Sequence, residues 1–150
     1  MQLNDQLADA HLSQAVLLDH FDLDWTNAER EYLRALDLDP TSVNAYYFYS
    51  VLLTRIGRFD EALAQLRRGE EAAPLNLYLE GLEGWTLGMQ RHYDQSIDRL
   101  RKRLESDPND YDLNLYLGDI YLQKGDFERV LFTFGAIESQ AQRQPMVIGR

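Results

Sequence analysis

The chain has no cysteine, so it has no disulfide frame, no thiol nucleophile and no cysteine zinc site. Its 4 prolines leave long stretches without a helix breaker. Positive charge is also scarce: 15 Lys and Arg stand against 25 Asp and Glu, for a net charge of −10. That balance argues against sequence-independent nucleic-acid binding, which needs a basic footprint to release counterions. It equally disfavours docking on anionic membranes. The most apolar stretch, residues 43–53, contains Asn44 and Ser50 and is too short to span a bilayer. Residues 1–6 lack the basic and apolar segments of a signal peptide. The expected compartment is therefore the cytoplasm, with the periplasm as the alternative.

Residues suited to chemistry are scattered. His11 and His20 share no metal-binding helix face, and the sequence places His92 in a turn. Asp19, Asp22 and Asp24 cluster near His20 but lack the glycine and terminal glutamate of a calcium loop, so a solvated acidic turn is the expectation. Arg99, Arg101, Lys102 and Arg103 spread around a helix axis and read as an ordinary charged face. No glycine-rich phosphate loop occurs, and no serine or lysine sits beside a base. No cofactor, no metal and no catalytic activity are expected.

What the chain does contain is a period. Trp25, Phe59, Tyr93 and Phe127 recur at a step of 34, as do Pro40, Pro74 and Pro108. Gly57 and Gly125 lie two such steps apart. A step of 34 is the length of a helix–turn–helix repeat. With 45% hydrophobic and 27% charged residues, the composition is that of a folded, water-exposed protein. The expectation is one domain over 1–150, in four units at about 5–40, 41–74, 75–108 and 109–142, with a tail at 143–150.

Asn4 or Asp5 is expected to cap a first helix running to about His20, with Leu7, Ala8, His11, Leu12, Ala15, Val16 and Leu18 buried. Phe21–Asp24 forms the turn, and Trp25–Leu36 the second helix, with Trp25, Ala28, Tyr32, Ala35 and Leu36 inward. Ser42 caps a helix to Ile56, Gly57 makes the turn, and Phe59–Ala72 returns. The third unit starts at Leu75 or Asn76, turns at Arg91-His92, and returns from Tyr93. In the fourth, Asn109 or Asp110 caps a helix to Lys124, and the last helix runs from Phe127 to about Gln140.

Tyr46, Tyr49, Leu53, Ala62, Leu66 and Pro74 fill the slots of the pattern W-x2-L-G-x2-Y, A-x3-F, P. So do Ala28, Tyr32, Ala35 and Pro40, then Gly84, Leu87, Leu100 and Pro108, then Leu117, Gly118, Tyr121 and Phe134. The chain thus resembles a tetratricopeptide repeat protein. More narrowly, residues 22–31, Gly84-Trp85 and residues 91–96 resemble the repeat arms of bacterial winged-helix, kinase and cyclase regulators. The resemblance implies an all-α, right-handed superhelical solenoid of helix pairs. It also implies a non-catalytic scaffold that holds a protein or peptide partner in a concave groove. Two alternatives stand beside it: a structural module that self-assembles, and the regulatory arm of a larger bacterial signalling protein.

By repeat phase, the groove would present Ser13 and Leu17, then Asn44, Tyr47, Phe48, Val51 and Arg55. Tyr78, Gly81, Leu82, Trp85 and Met89 follow, then Asp112, Leu115, Tyr116, Asp119 and Gln123. Family members that clamp a chaperone's terminal carboxylate use lysine, asparagine and arginine where this chain has Ser13, Leu17, Phe48, Tyr78 and Leu82. The clamp is absent, and an apolar or amphipathic peptide is the expected ligand. Tyr47, Phe48, Tyr78, Leu82 and Trp85 would be its anchors. Two departures from the pattern, Glu83 and Arg103, are expected either to reach water or to form an ion pair inside the stack. Leu131 and Phe132 widen the apolar face of the last helix and make it a candidate surface for a homo-oligomer.

Overall fold

The computed structural model describes residues 2–74 and 76–143, with side chains placed for 3–74 and 76–139. The elements are α1 (Gln2–Leu17), a π-helical turn (Leu18–Asp22), α2 (Trp25–Leu38), α3 (Val43–Arg55), α4 (Phe59–Ala72), α5 (Tyr78–Met89), α6 (Tyr93–Ser106), α7 (Tyr111–Lys124) and α8 (Phe127–Arg143). Among the described residues there is no strand, and no helix is long and apolar enough to cross a membrane. Consecutive helices pack as antiparallel pairs in an all-α, right-handed superhelical solenoid.

Local chemistry sets where the helices begin and end. Asp24, Ser42 and Asp110 each accept the backbone N–H three residues on, at 3.2, 3.3 and 3.0 Å, capping α2, α3 and α7. The turn inside each pair is closed by a left-handed residue: Leu23 (φ 54°), Gly57 (81°), Arg91 (70°) and Gly125 (80°). These four positions share the step of 34, so the repeat extends to the backbone even where glycine is missing. In three turns an N–H then reaches a carbonyl five residues back: Arg58 to Leu53, His92 to Leu87 and Asp126 to Tyr121, at 2.8–2.9 Å. In the first turn Asp24 reaches six back, to Leu18, at 2.9 Å. The π turn supplies that additional residue. It also carries Asp19 into the interior, where the side chain is wholly buried.

The interior forms two apolar clusters. One joins Ala15, Tyr32, Leu36, Tyr46, Leu53, Leu66 and Leu82, and the other joins Ile97, Leu100, Leu113, Ile120 and Tyr121. Trp85 and Tyr116 pack against both. Glycines on α5 let neighbouring helices close in. A Cβ on Gly81 would lie 2.4 Å from Leu113 Cδ2, and one on Gly88 would lie 2.2 Å from Ile120 Cδ1. Thr54 and Thr86, both buried, hydrogen-bond to one another at 3.0 Å and satisfy their hydroxyls across the second and third pairs.

Several expectations are corrected. Asn4 and Asp5 cap nothing, because α1 already runs from Gln2. Leu7 and Trp25 are each 45% exposed rather than buried: the inward stripe of α1 runs through Ala8 and Ala15, and Trp25 opens α2 at its edge. The third unit's first helix starts at Tyr78, whose N–H is accepted by Asn76 Oδ1 at 2.9 Å, while Leu75 lies outside the described residues. Glu83 is buried as a charged residue, but its partner is Arg99, not Arg103. The antiparallel crossing sets the middle of α5 against the middle of α6, where Gly84 also faces Leu100 and Arg99. Arg103 lies a turn farther along. The last helix reaches Arg143, and the rest of the expected tail, 144–150, lies outside the described residues.

Candidate functional site

The inner face can be identified from which helices meet. α3 approaches α5, and α5 approaches α7, while successive second helices do not come as close. α3, α5 and α7 therefore lie inside the curve, and their solvent-facing side chains form the concave wall. At its centre four rings from three helices touch. Tyr47 of α3 and Tyr78 of α5 stack with centroids 4.6 Å apart and planes at 30°. Trp85 of α5 and Tyr116 of α7 stack at 5.6 Å and 26°. The two stacks are joined by a hydrogen bond of 2.8 Å between the hydroxyls of Tyr47 and Tyr116. Phe48 meets Tyr47 edge-on at 5.3 Å, and His20 meets Phe48 edge-on at 6.4 Å.

Polar groups hold this arrangement in place. Trp85 Nε1 donates to Asp119 Oδ2 at 2.8 Å, and Gln123 Nε2 donates to the same oxygen at 3.3 Å and to Met89 Sδ at 3.0 Å. Burial pushes the Tyr47 hydroxyl far above its usual range, and its bond to Tyr116 adds to the shift. Burial also pushes Tyr78 and Tyr116 up to about 12, with the charges of Asp112 and Asp110 contributing. All three phenols are thus neutral hydrogen-bonding groups at ordinary pH.

A cavity of about 700 Å³ opens against this wall. Tyr47, Tyr78 and Tyr116 border it on one side. Leu77, Gly81 and Leu113 contribute apolar surface, and Arg103, Asp110 and Asp112 contribute charge. Repeat phase does not reveal it, because much of its rim comes from the loops before α5 and α7. Arg103 in particular carries no groove signal, since it belongs to a second helix.

The structure brings Tyr47, Phe48, Tyr78, Trp85, Met89, Tyr116 and Asp119 into one surface. Asn44 is exposed in the first turn of α3, and Leu17 and Leu115 are exposed on α1 and α7. Val51 is half-buried against the first cluster. Ser13 is turned back on its own helix, donating to Asp9 O at 2.8 Å. Arg55 is engaged internally: Nη1 donates to the buried Asp19 Oδ1 at 3.0 Å. Leu82 is 0% exposed and belongs to the core, and Gly81 is buried beneath Leu113. Neither offers a side chain to a ligand, because their side of α5 meets α3 and α7. On α8, Leu131 and Phe132 are 75% and 81% exposed. Among the described residues, no group of three His, Cys, Asp or Glu side chains could hold a metal ion.

No curated protein sequence matches the chain. Solved structures share the fold. A MamA from Desulfovibrio magneticus RS-1 is 20% identical over 92% of this chain and 77% of its own, with a TM-score of 0.67. YrrB, described as a TPR protein with an unusual peptide-binding site, is 22% identical over 87% of this chain and 66% of its own, with a TM-score of 0.59. PilF of Pseudomonas aeruginosa is 19% identical over 88% of this chain and 60% of its own, with a TM-score of 0.68. A family model of the tetratricopeptide repeat matches residues 23–76 and 82–129. With most of its helices inside that match and the same solenoid around them, this chain belongs to the tetratricopeptide repeat family.

Proposed function

We propose that the protein is a non-catalytic interaction scaffold that takes an apolar or amphipathic peptide along its concave wall. The observation that carries this reading is the contact of four aromatic rings from three helices beside a cavity of about 700 Å³. Rings braced by one another and by Asp119 are already ordered, so little side-chain entropy is lost when a partner lands on them. The likeness to YrrB, a TPR protein with a peptide-binding site, supports the reading at the level of the fold. Tyr47, Tyr78, Trp85 and Tyr116 are the anchors, and Asn44 offers a side-chain amide to a peptide backbone.

The test begins with a peptide selected against the protein by display and measured by calorimetry. Tyr47→Ala and Trp85→Ala should each weaken binding by about 2 kcal/mol, roughly thirtyfold. Affinity unchanged in both variants would refute groove binding.

A further inference from the structure

The cavity beside the aromatic wall has a sign. Its lining carries two carboxylates, Asp110 and Asp112, against one guanidinium, Arg103. Asp110 is engaged, accepting the Leu113 N–H at 3.0 Å. Asp112 is exposed in the first turn of α7, and no hydrogen bond or ion pair engages it among the described residues. Its charge nonetheless reaches the hydroxyls of Tyr47, Tyr78 and Tyr116, opposing the ionisation of each. Three electron-rich rings and a free carboxylate around one space form an environment suited to a cation with an apolar stem. The whole chain, at −10, attracts the same kind of ligand from a distance.

Arg103 looks at first like a contradiction. Its Nε is shielded from water and has no acceptor among the described residues. A buried donor without a partner calls for a carbonyl or carboxylate oxygen. A peptide residue supplies a side-chain cation for Asp112 and a backbone carbonyl for the part of the Arg103 guanidinium that lines the cavity.

We propose that this cavity is a pocket for a basic residue, lysine or arginine, of an extended partner peptide. The cationic head sits at Asp112, the stem lies along the tyrosine rings, and the backbone carbonyl accepts from Arg103. This rests on the peptide-scaffold reading above and names the side chain that reading leaves open.

The test uses single-residue probes followed by the ring resonances of Tyr47, Tyr78 and Tyr116 in NMR. Nα-acetyl-lysine methylamide should shift them saturably in the millimolar range, about tenfold more tightly than the norleucine analogue. Asp112→Asn should erase that tenfold difference and leave norleucine binding unchanged. Arg103→Gln should weaken both probes alike. Norleucine binding as tightly as lysine, the glutamate analogue binding more tightly than either, or no saturable shift with any probe would each overturn the proposal. A display-selected peptide that needs Tyr47 and Trp85 but carries no basic residue would overturn this inference while leaving the scaffold reading intact.

Discussion

Replacing Arg55 by methionine tests how the first helix pair is held to the second. Methionine keeps most of the apolar stem and removes the guanidinium. What remains is Asp19, a carboxylate with no exposed surface, held among the described residues by the Tyr32 hydroxyl alone at 3.4 Å, because the nearby His20 Nδ1 bonds to the Val16 carbonyl at 3.2 Å. Breaking a fully buried pair costs about 3–5 kcal/mol, whereas an exposed pair contributes about 0–1. The Arg55 side chain is 35% exposed, so the pair lies between these limits. The expected loss is about 2–3 kcal/mol, a fall in melting temperature of roughly 5–10 °C for a chain of this size. Adding Asp19→Asn removes the stranded charge but keeps an acceptor for Tyr32, so the double variant should recover more than half of the loss. Thermal and urea unfolding of the wild type and the variants supply the comparison. A single variant within ~0.5 kcal/mol of wild type, or a double variant as unstable as the single one, would refute the argument.

Three further outcomes are expected. Arg91→Gly should stabilise by about 0.5–1 kcal/mol by relieving the left-handed backbone at φ 70°, while Gly57→Ala should destabilise by about 1 kcal/mol although nothing lies within 4 Å of the added methyl; chemical denaturation of both reads the sign. Five of the nine tyrosines, Tyr32, Tyr47, Tyr49, Tyr78 and Tyr116, have hydroxyls raised chiefly by burial. The folded state holds those protons after the unfolded chain has lost them. Their contribution to stability is thus complete below about pH 10 and lost as pH rises through and beyond about 12, and absorbance titration should show these phenols ionising at higher pH in the folded protein than in urea. Finally, if the exposed Leu131 and Phe132 on α8 join copies of the chain, light scattering will show a concentration-dependent mass that Phe132→Ser abolishes; a constant mass of 17.5 kDa removes that reading.

The architecture was legible because it depends on spacing. Apolar side chains at helical intervals, three prolines in phase and Gly57 with Gly125 place the helices to within a few residues. The same reasoning missed Leu23 and Arg91 as left-handed positions, because neither residue type favours that backbone; the signal was their phase alone. It missed the π turn, since one additional residue in α1's last turn leaves no mark in composition. At the site, phase grouped Tyr47, Tyr78, Trp85 and Tyr116 on one face of the array. It could not show that they stack, because ring contact depends on the curvature between units. That curvature also decides that Leu82 faces α3 and that Arg99, rather than Arg103, meets Glu83.

In a simple solenoid each unit touches only its neighbours, and stability is a chain of nearest-neighbour terms. The hydroxyl bond between Tyr47 and Tyr116 reaches from the second pair to the fourth, past the one between. Such a link adds a second-neighbour coupling to what is otherwise a one-dimensional system. Fraying of α7 and α8 is then felt at α3, so loss of the last pair and relaxation of the middle of the array become one event. Removing a single phenol oxygen, in Tyr116→Phe, should leave the units folded yet broaden the unfolding transition, turning one cooperative step into a sequence of partial ones.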